Sequence, residues 1–204
     1  MLPEVCPQLR IYDDEHRPCS VGPEAPVPIL QWEWEFRQLL DLYRVRIPLN
    51  VLEIGTYHGG TLYHWLQNAA PDAKVVSVDS YVTGIDNRDL YADWTPEDVE
   101  LVVIDGDAAS PETLRKVIDA LEGDFYDWIF IDAGHSYEDV SSDWGFYSRL
   151  ADRGNSVIAL HDIVPGPGLE VHKFWKKLQA RGHVTQEIIC DHVADWGGIG
   201  VVYL

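Results

Sequence analysis

The sequence VLEIGTYHGGTLYHWL, residues 51–66, joins a buried-strand pattern to a glycine-rich turn and then to a helix. The apolar run in residues 51–54 is typical of a central parallel strand, and the apolar residues of 61–66 recur with helical spacing. Glycines in the turn permit positive φ and let the backbone approach a ligand, while free N–H groups of the helix's first turn face it. The segment therefore predicts a binding corner for a small molecule.

The glycine spacing excludes two common nucleotide fingerprints. It reads G-x-x-x-G-G, which is neither G-x-G-x-x-G nor G-x-x-x-x-G-K-[ST]. Glu53, near the end of the strand, would weaken pyrophosphate binding and would suit a cationic or hydroxyl-bearing ligand. The segment resembles motif I of class I S-adenosylmethionine (SAM) methyltransferases, familiar as E-I-G-x-x-x-G-G-[ST]. An ordinary strand-to-helix turn is the alternative reading of the same residues.

Composition predicts a single domain without membrane spans. The chain has 204 residues, 46% of them hydrophobic, which is enough for one sizeable core. No apolar run approaches the roughly 20 residues that span a bilayer, and the N-terminus lacks a signal-peptide pattern. The protein is therefore expected to be cytoplasmic. Its three cysteines are scattered and odd in number, which argues against a disulfide framework.

The net charge limits the possible partners. The chain carries 34 acidic and 15 basic side chains, for a formal charge of −19. Such a surface repels phosphate backbones and anionic lipid. We therefore expect a small-molecule substrate, with neither nucleic acid nor membrane as a partner. The sequence is compatible with a homo-oligomer and does not specify one.

Apolar periodicity predicts alternating strands and helices. The predicted strands lie near residues 50–55, 74–79, 100–105, 126–132, 155–161, 184–190 and 198–204, and the predicted helices near 29–45, 59–69, 111–122, 136–150 and 168–181. The alternation predicts an α/β fold with a doubly wound, seven-stranded, mostly parallel sheet. No helix fits between the last two strands, so the final strand is expected to be antiparallel. Residues 1–27 are expected to form an irregular, proline-rich arm, and residues 28–204 a single domain.

Acidic residues stand at the predicted ends of the second and third strands. Ligands in doubly wound sheets bind outside the carboxyl ends of the strands. Asp79 ends the second strand and is placed to accept hydrogen bonds from ribose hydroxyls, although a helix-capping or loop role is the alternative. Either Asp105 or Asp107 ends the third strand. Resemblance to the methyltransferases favours Asp107, which would hold the adenine amino group.

The fourth and fifth strands bring further polar residues to the same edge. Asp132 ends the fourth strand, His135 follows it, and the fifth strand ends in His161 and Asp162. Neighbouring strands lie about 4.8 Å apart, so the two carboxylates can converge on one cation. Without a basic partner they repel each other, which a divalent ion or a raised pKa must relieve. The two histidines could instead be hydrogen-bonded imidazoles at the edge of the cleft with no catalytic role.

A second set of motifs carries a closer resemblance to the methyltransferases. The run I-D-x-x-H-x-Y, the later H-D, and Phe174, Trp175 and Leu178 of F-W-x-x-L look like the cephalosporin-hydroxylase-like branch of class I methyltransferases. That branch includes metal-dependent O-methyltransferases acting on antibiotic sugars (methyltransferase family 24-like). The resemblance implies that Asp132 and Asp162 are metal ligands and that His135 is the base. Where an acidic pair would stand, the chain has His161 before Asp162, which leaves the choice between Mg²⁺ and Mn²⁺ open.

The predicted activity is SAM-dependent methyl transfer to a hydroxyl group of a sugar or natural product, assisted by a divalent metal. Asp132 and His135 are the predicted catalytic residues, and Asp132, His161 and Asp162 the predicted metal ligands. The predicted cofactor-binding residues are Glu53, Gly55, Thr56, Tyr57, Gly59, Gly60, Asp79, Ser80, Asp107, Ala108 and Asp132. Residues 1–27 and the loop 81–96, with Tyr81, Tyr91 and Trp94, are expected to set acceptor specificity, either as a lid or as a loop packed on its own side chains. The alternatives are a nicotinamide-dependent oxidoreductase and a non-catalytic SAM-binding protein.

Overall fold

The computed structural model describes residues 26–27, 29–80, 87–190 and 196–204. A seven-stranded sheet forms the centre of this part of the chain. Its strands are β1 (Asn50–Ile54), β2 (Lys74–Asp79), β3 (Glu100–Asp105), β4 (Trp128–Ile131), β5 (Val157–His161), β6 (Val184–Ile188) and β7 (Ile199–Tyr203). The predicted arm, apart from two residues, and the loop residue Tyr81 lie outside the described residues.

The sheet has the order β3-β2-β1-β4-β5-β7-β6. Strands β1 to β5 pair in parallel, whereas β7 lies between β5 and β6 and is antiparallel to both. This arrangement confirms the predicted doubly wound sheet and its antiparallel final strand. The order reverses between β1 and β4, so the carboxyl ends of these strands face a common crevice.

Six α-helices flank the sheet in the described residues. They are α1 (Glu33–Arg46), α2 (Gly60–Gln67), α3 (Arg88–Trp94), α4 (Pro111–Ala120), α5 (Tyr137–Tyr147) and α6 (Val171–Ala180). Helix α5 begins with a capping box in which Ser136 and Asp139 satisfy each other's backbone N–H groups. The box fixes the chain immediately after His135.

Part of the predicted loop 81–96 is helical, because residues 88–94 form α3. Tyr91 is 1% exposed and its ring lies 5.2 Å from that of Trp94. The prediction of an exposed aromatic lid is therefore wrong for Tyr91, and the alternative, packing on neighbouring side chains, holds for it. The short helix escaped detection because its 7 residues are fewer than the window of about 11 to 18 residues in which helical periodicity can be recognised.

Large aromatic side chains fill the core between α1, α2 and the sheet. The rings of Tyr43, Trp65 and Trp128 are fully buried, with centroids 5.0 to 5.7 Å apart. This packing anchors α2, and with it the glycine-rich turn, against β1 and β4.

Two further features bear on the expectations from composition. Cys190 is buried and disulfide-bonded, so the scattered cysteines do not all remain free thiols. Within the part of the chain that the structure describes, no helix has the length and apolar character of a membrane span.

Candidate active site

The carboxyl ends of the parallel strands open into a cavity of about 1120 Å³. Most of the predicted site residues line it: Gly55, Thr56, Tyr57, Gly60, Asp79, Ser80, Asp107, Ala108, Asp132, His135, His161 and Asp162. Glu53 and Gly59 do not line the cavity. The structure thus brings together residues that are more than 100 positions apart in the sequence.

Asp79 holds the turn between β1 and α2. Its Oδ2 accepts hydrogen bonds from the backbone N–H groups of Thr56 and Tyr57, at 2.8 and 2.7 Å. The Thr56 hydroxyl lies 2.5 Å from that of Ser77, so a second bond ties the turn to β2. Asp79 was predicted to accept from ribose hydroxyls. In the structure this carboxylate also shapes the loop that would carry the ligand.

Gly55 lets two strand ends meet at this turn. Its φ is +91°, and a Cβ atom there would lie 2.0 Å from the carbonyl oxygen of Asp132. Gly59 has φ +86°, and its Cβ would lie 2.6 Å from the ring of Tyr91. The first glycine therefore joins the turn to the end of β4, while the second makes room for a core side chain.

Glu53 connects β1 to α2, the two elements that flank the turn. It is 0% exposed, and its Oε1 accepts a hydrogen bond from Trp65 Nε1 at 3.0 Å. Burial raises the pKa of this carboxyl to about 8. The sequence placed Glu53 correctly near the strand end. It did not show that the side chain turns away from the cavity.

The raised pKa of Glu53 predicts a pH-dependent stability. The folded state holds the proton more tightly than the unfolded state, so the free energy of unfolding should fall as pH rises from about 5 to about 8, by up to about 4 kcal/mol. Denaturant titrations of the wild type and of Glu53→Gln over this range test it, because the variant lacks the titrating group. Parallel pH profiles for the two proteins would contradict the assignment.

The structure distinguishes the two acids of the third strand. Asp107 lines the cavity, and its Oδ1 accepts the N–H of Ala109 at 2.9 Å. Asp105 is exposed, does not line the cavity, and pairs with Arg88 at 3.1 Å. Strand β3 ends at Asp105, so Asp107 does not end the strand, but it is Asp107, two residues further on, that lines the cavity. Its contact with adenine stays a prediction.

Two carboxylates and two imidazoles converge where β4 and β5 end. His135 Nε2 lies 2.9 Å from Asp162 Oδ2, and His161 Nδ1 lies 3.2 Å from Asp132 Oδ1 and 3.4 Å from Asp162 Oδ2. Asp162 has φ +61°, a left-handed conformation that is uncommon outside glycine. Such local strain is frequent at functional sites.

The charges in this cluster are interdependent. Burial opposes the charged form of His161, but Asp132 and Asp162 outweigh it and hold the pKa of its imidazole well above the ordinary value. Burial also opposes ionisation of Asp162, yet His161 and His135 lower its pKa. The hydrogen bond to Asp162 raises the pKa of His135. The carboxylates therefore do have basic partners, contrary to the expectation from sequence.

Two residues near the start of α1 complete the cluster and were missed by the sequence analysis. Gln31 is 1% exposed and donates from Nε2 to Asp132 Oδ2 at 2.6 Å. Glu35 is fully buried and accepts from the backbone N–H groups of Cys190 and Gly198, both at 2.8 Å. Glu35 lies on α1, whereas Gln31 precedes the helix. Their i, i+4 spacing within the predicted helix 29–45 was the available signal.

Asp132, His161 and Asp162 form a candidate metal centre. Each offers one ligand atom, and these atoms lie within 4.8 Å of one another. Gln31 and the backbone N–H of Gly197 bond the carboxylates of Asp132 and Asp162, as outer partners of metal ligands commonly do. Two carboxylate oxygens and one imidazole nitrogen fit a divalent ion that binds both oxygen and nitrogen ligands.

The family comparison identifies the type of domain. Residues 52–163 match a family described as a methyltransferase domain. A search of curated protein sequences found no significant match.

Several solved structures share the fold. The O-methyltransferase TomG of Streptomyces achromogenes, solved with SAM, is 20% identical, with a TM-score of 0.65 over 89% of this chain and 82% of that one. The O-methyltransferase of Bacillus cereus, solved with S-adenosylhomocysteine (SAH), is 20% identical, with a TM-score of 0.62 over 89% and 84%. Cofactor-bound Rv0187 of MTB is 23% identical, with a TM-score of 0.64 over 88% and 83%. At these identities the likeness concerns the fold.

Proposed function

The chain belongs to the family of methyltransferase domains, and from this premise we propose that it transfers a methyl group from SAM to a hydroxyl group of a small molecule. The observation that carries the choice of a hydroxyl is the position of His135, which pairs with Asp162 beside the cofactor corner. A hydroxyl must lose its proton during methylation, and the unprotonated imidazole of His135 can take it. Because the hydrogen bond to Asp162 raises the pKa of His135, the fraction of enzyme with a free base grows as pH rises through that pKa. The family membership argues against the nicotinamide-dependent alternative.

The cofactor would occupy the corner formed by the ends of β1, β2 and β3. The turn Gly55–Gly60 offers backbone groups at close range, and Asp79 and Asp107 offer carboxylates to polar groups of the ligand. These residues fit a positively charged molecule, since all the charged side chains among them are acidic.

Isothermal titration with SAM and SAH tests the cofactor site. Asp79→Ala removes the acceptor that fixes the turn as well as a candidate ribose partner, so binding should weaken by about 1 to 3 kcal/mol. Asp105→Ala is the matched control, because that strand-end acid lies outside the cavity. Unchanged affinity in Asp79→Ala would remove Asp79 from the cofactor site.

The residues around His135 orient it for proton transfer. In the neutral imidazole its Nε2–H donates to Asp162 Oδ2, which leaves Nδ1 as the nitrogen that can accept a proton, an assignment made from this hydrogen bond. Asp162 is in turn held by the backbone N–H of Gly197 at 3.2 Å. The enzyme's remaining task is to hold the acceptor oxygen in line with the methyl group.

Asp132, His161 and Asp162 would hold a divalent metal. When bound, the metal would supply positive charge that lowers the pKa of the acceptor hydroxyl. The imidazole in the donor set favours Mn²⁺ over Mg²⁺, because magnesium prefers oxygen ligands.

Metal removal tests this part of the proposal. EDTA should abolish methyl transfer while SAH binding measured by titration largely survives, and added Mn²⁺ or Mg²⁺ should restore turnover. Asp162→Asn should raise the metal concentration needed for half-maximal activity, and His161→Ala should do the same if His161 is a ligand. Full activity in metal-free enzyme would refute metal assistance and leave Asp132 and Asp162 to orient the imidazoles.

The non-catalytic alternative predicts cofactor binding without turnover. An assay of SAH release with a panel of hydroxylated acceptors distinguishes it from the enzyme.

A further inference from the structure

The cavity has an apolar wall that the cofactor corner does not use. It consists of Ile29, Leu30, Trp32, Pro167, Leu169 and Trp196. These residues come from the segment before α1, the chain after β5 and the chain before β7. In the sheet, β5 and β7 lie on one side of β4, and β2 and β3 lie on the other. The wall is therefore next to the cluster of Asp132, His135, His161 and Asp162, on the side away from Asp79 and Asp107.

Two tryptophans form the wall next to the cluster. The ring centroids of Trp32 and Trp196 are 5.0 Å apart, and that of Trp196 is 6.2 Å from His161. Trp32 lies against Gly197, where a Cβ atom would come within 2.5 Å of the indole. The backbone of Gly197 therefore makes room for the indole while its N–H bonds Asp162.

Unsatisfied polar atoms accompany this apolar surface. Gln31 Oε1 and Trp32 Nε1 are buried and have no hydrogen-bond partner among the residues that the structure describes. Such atoms are costly to bury unless a ligand or water satisfies them. One is an acceptor and the other a donor, which a hydroxyl group can satisfy.

Acidic groups outnumber basic ones in the cavity. Six aspartates line it (Asp79, Asp107, Asp132, Asp139, Asp143 and Asp162), although burial raises the pKa of Asp143 to about 7. The basic groups among its described lining residues are the imidazoles of His58, His135 and His161, with no lysine or arginine. A carboxylate or phosphate on the ligand would lose its hydration and meet like charges.

Resting on the proposed function, we infer that this wall binds the methyl acceptor and that the acceptor is a hydroxylated ring without negative charge. The ring lies against Trp32 and Trp196, which present flat apolar surfaces. A ring hydroxyl bonds Gln31 Oε1, so Gln31 and Trp32 determine specificity. Phenolic and sugar rings share this chemistry.

Paired acceptors test the charge selectivity on the wild-type enzyme. Phenols and methyl glycosides are compared with counterparts that carry a carboxylate or phosphate on the same ring. Binding is measured with SAH present by saturation-transfer NMR, and methylation by SAH release. We expect the uncharged member of a pair to bind at least tenfold more tightly, and the phenol and glycoside arms identify the kind of ring. Equal or tighter binding of the anionic member, or no binding by any ring, would overturn the inference.

A variant pair tests the wall itself. Trp32→Ala should raise the KM for the acceptor at least tenfold while the KM for SAM changes less than twofold. Trp34→Ala is the control, because Trp34 lies two residues along in α1, 36% exposed and away from the cavity. An unchanged acceptor KM in Trp32→Ala would refute the assignment. Trp32→Phe, which keeps the apolar plane and loses the indole N–H, replaces it should Trp32→Ala fail to fold.

The two proposals fail in different ways. Trp32-dependent binding of a ring that is never methylated would refute the proposed function and leave the binding site intact. Efficient methylation that ignores ring charge and Trp32 would refute the acceptor site and leave the proposed function intact.

Discussion

Replacing His135 by alanine is expected to lower kcat for methyl transfer by about a hundredfold or more, the scale of general-base removal. His135 is the imidazole that combines partial exposure to the cavity, 47% of its side chain, with a carboxylate partner that fixes its orientation. The KM for SAM should change little, because the cofactor corner lies at the ends of β1 to β3. Single-turnover kinetics at saturating SAM measure the effect directly.

His135→Gln separates the base from a merely orienting role. Glutamine can still donate a hydrogen bond to Asp162 but cannot accept a proton at neutral pH. It should therefore be as slow as the alanine variant, with metal affinity close to that of the wild type. A glutamine variant with near wild-type turnover would show that His135 acts only by positioning Asp162.

Gly55→Ala should be among the most destabilising single substitutions in the sheet. The new Cβ would come within 2.0 Å of the Asp132 carbonyl oxygen, in a backbone conformation with φ +91°. Either the turn or the end of β4 must move, and we expect a loss of about 3 kcal/mol or more in the free energy of unfolding. Denaturant titration measures that loss.

Gly123→Ala is the matched control for Gly55→Ala. Gly123 has a similar φ of +96°, but a Cβ there would meet nothing within 4 Å. Gly123→Ala should lower the free energy of unfolding only by the strain of a positive φ in a residue with a Cβ atom, about 1 to 2 kcal/mol. Equal losses in the two variants would show that the contact between Gly55 and Asp132 has no energetic consequence.

The edge of the sheet that carries the site could be predicted from the sequence because parallel strands share the direction of their ends. Asp79 and Asp132 follow apolar runs directly, and Asp162 follows one after His161, so the topology alone brings them together. The resemblance favoured Asp107, which lines the cavity although β3 ends at Asp105. None of these inferences required side-chain geometry.

The inferences that needed side-chain geometry were less complete. Glu53 precedes the turn by two residues, yet it is buried against Trp65 because alternate residues of a strand face opposite sides. Gln31 meets Asp132 across 101 residues, and Glu35 meets Gly198 across 163. A periodic pattern reports the burial of such residues and cannot report their distant partners. The contacts of Trp196 with Trp32 and His161 were hidden for the same reason.

The position of β7 between β5 and β6 determines when during synthesis the site can form. Strand β6 emerges from the ribosome before β7, and β7 is its sole partner among the described strands, so β6 cannot join the sheet until residues 199–203 have been made. Until then β5 is an open edge able to pair with other chains, and Asp162 lacks the N–H of Gly197. A chain stopped before residue 196 would carry the whole cofactor corner, but it would lack β7 and the N–H of Gly197 that bonds Asp162, and its β6 would have no place in the sheet. Nascent chains of this protein should therefore acquire SAM binding before they acquire a competent acceptor site.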